Sequence, residues 1–124
     1  MPTRLRPLDD ATVSKAWDAL RSTPDPSADA LRLLTKHYLA VLVQRYPGKS
    51  VEVRVPPYAV VQCREGARHT RGTPPAVVQT DPMTWIRLAR GDLSWTDAVR
   101  SGQVTASGER SDLDDLLPLA SLSG

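Results

Sequence analysis

The sequence predicts an α+β domain in which helices pack on one face of a sheet. Up to residue 45 the apolar residues recur with helical spacing, whereas from residue 50 they alternate with polar residues. The alternating segments are grouped in the middle of the chain, with helical segments before and after them. Such grouping is typical of α+β proteins, because a parallel α/β sheet needs strands and helices that alternate along the chain.

The first helix is predicted over about residues 9–21. Val13 and Leu20 fall on one apolar stripe at helical spacing, and Asp9 stands where the helix dipole favours negative charge. Two prolines within residues 22–27 exclude a helix interior there, because proline lacks the backbone N–H that a helix uses. We therefore expect a linker between this helix and the next.

The second helix is longer and is predicted over about residues 28–45. Tyr38 and Leu42 belong to its main apolar stripe, and further leucines and valines widen that stripe. Such a broad apolar surface predicts a helix that is covered on more than one side. Pro47 and Gly48 end it.

Three strands are predicted next, over residues 50–55, 58–63 and 76–80. In the first of them three valines alternate with one glutamate and one arginine, which is typical of a strand with one face in water. Residues 64–75 are rich in glycine, proline and arginine and therefore predict a loop.

The rest of the chain predicts two short helices, a fourth strand and a helical turn. Asp81 followed by Pro82 is a typical helix start, and Gly91 is a typical helix end. Ser94 opens a capping box with aspartate in the place of glutamate and starts the second short helix. The strand is predicted over residues 103–107 and the turn within residues 111–118.

Length and composition predict one domain over residues 1–124, with an N-terminal helix and linker in 1–27 and a flexible tail in 119–124. The net charge of +2 comes from charges spread along the chain, which does not favour nucleic-acid binding. A single cysteine excludes an intramolecular disulfide. Neither a signal sequence nor an apolar run of about 18 residues is present, so we expect a cytoplasmic protein without integral membrane association.

The usual signatures of catalysis and metal binding are missing from the sequence. The two histidines, His37 and His69, lie outside HExxH or CxxC patterns, and neither GxSxG nor a phosphate-binding glycine loop occurs. Cys63 ends an apolar strand, where a cysteine is usually a small buried hydrophobe rather than a nucleophile. We therefore expect no catalytic residue, no cofactor, no metal and no enzymatic activity.

A resemblance to the sterol carrier protein family begins at Asp81. The segment that carries it is DPMTWIRLARGDLSWTDAVRSGQVTASGERSDL. In it a short helix ends at Gly91, a second short helix follows, and a strand led by Gly102 closes on Gly108. The upstream segments RYPGKSVEVRVPPYAVVQC and RHTRGTPPAVVQTDP are similar to a small bacterial branch of that family, whose members are stand-alone chains of about this length.

The resemblance implies about five strands in a mostly antiparallel or mixed sheet, with an apolar tunnel between the sheet and the helices. It also implies a lipid-like ligand, for which a fatty acyl chain is the expected example. Tunnels of this kind have apolar walls and a few polar groups at the mouth. The same apolar residues also fit a filled core. The candidate wall residues are Val51, Val53, Val55, Val61, Val78, Trp85, Leu88, Trp95 and Val99.

The densest polar cluster is the candidate for a head-group site. Arg68, His69 and Arg71 place three potentially cationic side chains within four residues, which suits a carboxylate or phosphate. The alternative is a loop whose charges are only solvated.

Two other functions remain open at this stage. The fold could have lost its tunnel and serve as an interaction module for a protein partner, which an exposed apolar patch over a filled core would favour. Related modules also accompany mycothiol-dependent enzymes, so Arg68, His69 and Arg71 could instead hold the anionic part of a thiol cofactor for a partner enzyme.

Overall fold

The computed structural model describes residues 5–22, 27–66, 76–108 and 111–119 of the chain. Helices and strands occupy the segments in which the sequence predicts them, and the α+β prediction is confirmed. The described elements are α1 (Asp10–Arg21), α2 (Ala28–Arg45), β1 (Val51–Val55), β2 (Ala59–Cys63), β3 (Ala76–Thr80), α3 (Pro82–Arg90), α4 (Trp95–Arg100), β4 (Val104–Ser107) and a 3₁₀ turn (Asp114–Leu116).

The sheet is mixed and its strands lie in the order β2-β1-β3-β4. β1 runs antiparallel to β2 and parallel to β3, and β3 runs antiparallel to β4. The described residues form four strands, where the resemblance implies about five. β1 and β3 are therefore the central strands, and both contribute buried side chains to the core.

The strand register gives the sheet one apolar face. Val53 on β1 lies opposite Val61 on β2 and Val78 on β3, so the three side chains point to the same side. Val53 and Val78 are buried in one core with the helices, whereas Arg54 on the other face is exposed. The predicted alternation of buried and wet positions in β1 is confirmed.

Helix α2 is covered on several sides, as its broad apolar stripe predicts. It packs against α1, α3 and β2. Leu34, Leu39 and Leu42 are all fully buried in the core. The helix begins after Ser27, whose hydroxyl accepts a hydrogen bond from the Ala30 N–H at 3.2 Å.

Arg90 joins α1, α2 and α3 at the end of α3. Its Nη1 donates to the Tyr38 hydroxyl at 2.9 Å, and its guanidinium carbon lies 4.4 Å from the centre of the Trp17 ring. A cation over an indole face at this distance is attractive, because the ring carries negative charge density on its faces. Through these two contacts Arg90 holds the apolar face of α1 against α2 and α3.

The segment that precedes α1 is fastened to α2 through a buried histidine. The Leu8 N–H donates to His37 Nδ1 at 2.8 Å, and His37 is only 8% exposed. An acceptor at Nδ1 requires the neutral ring with its proton on Nε2. Burial lowers the pKa of His37 below its ordinary value of 6.5, and the Asp10 carboxylate opposes that change.

We expect the protein to lose stability as the pH falls below 6.5. The unfolded chain binds a proton on His37 there while the folded chain resists it, so stability present above pH 6.5 is lost as the pH falls through the folded pKa. His37→Gln keeps an acceptor but does not titrate. Urea denaturation at pH 7.5 and pH 5 should therefore show a smaller loss for His37→Gln than for the wild type. An equal loss in both proteins would contradict this role of His37.

Candidate ligand-binding site

Helix α3 packs its apolar face against α2 and into the buried core. Asp81 caps its start by accepting from the Thr84 N–H at 3.0 Å, and Pro82 occupies the first turn. Gly91 ends it in the left-handed conformation at φ +85°, which confirms the predicted helix end. Trp85 and Leu88 stand three residues apart, so they share one face, and both are buried.

Helix α4 adds a second tryptophan beside that face. Ser94 caps it by accepting from the Asp97 N–H at 3.1 Å, as the capping pattern predicts. Trp95 and Ala98 are buried, whereas Val99 is 41% exposed. Trp95 and Ala98, three residues apart, form the buried side of α4, and Val99 lies outside it.

The C-terminal segment 111–119 closes the core next to these helices. Its buried leucines recur at every third position, at Leu113, Leu116 and Leu119. Leu119 is 1% exposed, and its N–H donates to the Ala89 carbonyl at 2.8 Å. The sequence places residue 119 in the predicted flexible tail, whereas Leu119 packs into the core, and residues 120–124 lie outside the described residues.

A groove lies between the α3–α4 connection and this segment, and we call it the C-terminal groove. Its volume is about 340 Å³, within the range of small-molecule sites. Most of its surface is apolar, with one serine and one aspartate at its rim. Its lining residues are Leu88, Gly91, Leu93, Ser94, Trp95, Asp114, Leu117 and Pro118.

Arg64 clamps the C-terminal segment to the end of β2. Its guanidinium donates to both carboxylate oxygens of Asp115, at 3.2 and 2.8 Å, and to the Asp112 carbonyl at 2.9 Å. Two parallel bonds between arginine and a carboxylate fix both distance and orientation. An ion pair between residues far apart in the sequence therefore holds segment 111–119, which contributes Asp114, Leu117 and Pro118 to the groove.

Seven of the nine predicted wall residues are buried in a single apolar cluster that spans the sheet and the helices. Val61 is partly buried against that cluster, and Val99 is exposed. Leu88 and Trp95 belong to the cluster and also line the C-terminal groove. Burial fits a tunnel wall and a filled core equally, so the wall assignment stays a prediction. The seven are Val51, Val53, Val55, Val78, Trp85, Leu88 and Trp95.

Leu93, Leu117 and Pro118 line the groove but are not among the residues predicted from the sequence. The triplet spacing of Leu113, Leu116 and Leu119 was the available signal, because a 3₁₀ turn has three residues per turn. The head-group candidates Arg68, His69 and Arg71 lie outside the described residues, and that assignment stays a prediction.

A second recess, of about 460 Å³, lies between residues 5–7 and α2. From α2 it is lined by Ala40, Val43 and Gln44, and none of the predicted wall residues lines it. The C-terminal groove is the better candidate site, because it opens onto the buried apolar face of α3.

Two titratable groups of the core, Cys63 and His37, have pKa values shifted by burial. Burial raises the pKa of the Cys63 thiol to about 11, although the neighbouring Arg64 lowers it. A thiol with this pKa is almost fully protonated near neutral pH, and the thiolate is the nucleophilic form. His37 already uses Nδ1 to accept from the Leu8 N–H.

The fold and the groove define a class of small α+β domain, with helices on one face of a mixed sheet and an apolar groove at one end. A family model described as bacterial SCP ortholog matches residues 27–119. Since the match covers well over half of the chain, the protein belongs to this sterol carrier protein-like family, and the resemblance is confirmed. No curated protein matches the chain. In the ranges that the structure describes, no helix is long and apolar enough to cross a membrane.

Proposed function

We propose that this protein binds and carries a lipid-like apolar ligand, such as a fatty acyl chain, without catalysing a reaction. The observation that carries the proposal is the C-terminal groove, whose apolar lining includes Leu88 and Trp95 from the buried core. Membership in the bacterial SCP ortholog family supports the same ligand class. The raised pKa of Cys63 and the engaged His37 support a binding role rather than an enzymatic one.

The size of the ligand follows from the free energy of burial. Each buried methylene contributes about 0.8 kcal/mol, while association costs about 4–15 kcal/mol. Short chains of a few carbons therefore gain too little to bind, and chains of about 8 carbons or more are needed. Affinity should rise about fourfold for each added methylene, until the groove is filled.

Tryptophan fluorescence tests the proposal, because Trp95 lines the groove while Trp17 lies on α1 against Arg90. We expect titration with fatty acids of about 8 carbons or more, the minimum length set by the burial free energy, to change the emission of the wild type. The change should persist in Trp17→Phe and shrink in Trp95→Phe. Native mass spectrometry of protein purified from cells should show a retained lipid at near-equal stoichiometry.

Two results together would overturn the proposal. One is silence of all three tryptophans at saturating ligand, and the other is a clean apo mass after gentle purification. Together, these two results would favour the alternative function, a module without an open tunnel that binds a protein partner.

A further inference from the structure

The C-terminal groove has one charged residue, Asp114, among the described residues that line it. The other lining residues are three leucines, a tryptophan, a serine, a glycine and a proline, and no described lysine or arginine is among them. Asp114 is exposed at the rim. Its backbone N–H donates to the Asp112 carboxylate at 2.9 Å, whereas its own carboxylate forms no ion pair with a described residue. The groove therefore combines an apolar lining with a negative charge at its rim.

Two arginines next to the groove segments are already engaged by other groups. Arg64 donates to both carboxylate oxygens of Asp115. Arg90 donates to the Tyr38 hydroxyl, and its guanidinium carbon lies 4.4 Å from the centre of the Trp17 ring. Neither arginine pairs with the rim carboxylate, so the negative charge of that carboxylate is available to a ligand.

The groove also presents an aromatic ring, that of Trp95. A carboxylate attracts an ammonium group by charge and accepts its hydrogen bonds. An indole ring attracts the same group through the negative charge density on its faces, and protein sites for ammonium ligands are commonly built from aromatic side chains. Leu88 and Leu93 supply apolar surface for an alkyl chain in the same groove. The lining therefore suits a molecule with an apolar chain and a cationic head.

We propose that the C-terminal groove selects an amphiphile with a cationic head group, such as a long-chain amine, over a fatty acid anion. The inference rests on the proposed carrier function and names the head-group class for the same site. The ammonium group lies beside Asp114 at the rim, and the alkyl chain lies along Leu88 and Trp95. An uncharged alcohol or ester has intermediate affinity, because the rim charge neither attracts nor repels it.

The size of this selection follows from Coulomb's law. Because Asp114 is exposed, the dielectric constant of water applies at the rim. Two unit charges about 4 Å apart in water change an affinity about fivefold. We therefore expect an amine to bind about fivefold more tightly, and a carboxylate about fivefold more weakly, than an alcohol of equal chain length. Salt screens the charges, so both differences should shrink as the ionic strength rises.

Isothermal titration with decylamine, 1-decanol and decanoate at pH 7.5 tests the proposal. The wild type should bind them in that order of decreasing affinity, and the spread should be smaller at about 1 M than at about 0.01 M salt. Asp114→Asn keeps the size of the side chain and removes its charge, so it should lose most of the spread. Asp18→Asn is the matched control, because it removes the same charge from an exposed position on α1. The order should persist in that variant.

The outcomes separate the head-group class from the carrier function. An unchanged order in Asp114→Asn overturns the role of the rim carboxylate. Tightest binding of decanoate by the wild type overturns the cationic class and favours the anion site predicted at residues 68–71. In both cases the carrier function stands if 1-decanol binds and changes the emission of Trp95. Absence of binding for all three probes overturns the head-group class and counts against the carrier function as well.

Discussion

Replacing Trp85 by alanine is expected to lower the free energy of unfolding by about 3–5 kcal/mol, the usual cost of removing a fully buried aromatic side chain. Trp85 is 1% exposed and lies in the cluster that joins the helices to the strand valines. The substitution also removes the indole N–H that donates to the Thr35 carbonyl. Because the whole stability of a domain is about 5–15 kcal/mol, the variant should be close to unfolding at 37 °C.

Urea denaturation followed by far-ultraviolet circular dichroism measures this loss, and Trp17→Ala is the matched control. Trp17 is only partly buried and contacts Arg90, so its removal should cost about 1–2 kcal/mol, including the cation–π contact. A loss for Trp85→Ala no larger than that for Trp17→Ala would contradict the position of Trp85 in the core.

Local patterns in the sequence were sufficient to predict most of the fold. The alternation in β1 predicts its buried face because side chains of a strand point to opposite sides. Asp81 and Ser94 predict helix starts because each side chain satisfies a backbone N–H only a few residues away. In each case the interacting groups lie within a few residues of one another along the chain.

The candidate site was harder to predict because long-range contacts form it. The groove exists where segment 111–119 crosses α3, and Arg64 holds that segment by binding Asp115, 51 residues away. No periodicity in the sequence reports such a pairing. Val99 was also mispredicted: its apolar character predicts a wall position, whereas in the structure it lies outside the buried side of α4.

Gly48 is the second position at which we expect a substitution to lower stability strongly, because it packs against the backbone of Arg64. Arg64 has a left-handed φ of +67°, its N–H donates to the Tyr46 carbonyl, and its carbonyl accepts from the Ser50 N–H and hydroxyl. Gly48 packs directly against this backbone. A Cβ at Gly48 would lie 2.2 Å from both the carbonyl carbon and the carbonyl oxygen of Arg64, far inside contact distance.

Gly48→Ala is therefore expected to destabilise the protein by about 2–5 kcal/mol, as the sum of overpacking and backbone strain. Since Arg64 must shift, its ion pair with Asp115 should weaken and loosen segment 111–119. Hydrogen exchange reports this loosening at the Leu119 N–H, which donates to the Ala89 carbonyl. That amide should exchange faster in Gly48→Ala than in the wild type.

Gly102→Ala is the control that separates the steric clash at Gly48 from the cost of placing an alanine at a positive φ. Gly102 has φ +80°, but a Cβ there would meet no atom within 4 Å, so only the strain of about 1 kcal/mol applies. The Leu119 amide should exchange in this variant at the rate expected from the small loss of stability alone. If the two glycine variants were equally stable and equally protected at Leu119, the contact between Gly48 and Arg64 would not control the C-terminal segment. A larger effect at Gly48 in both measurements would show that this contact organises one side of the groove.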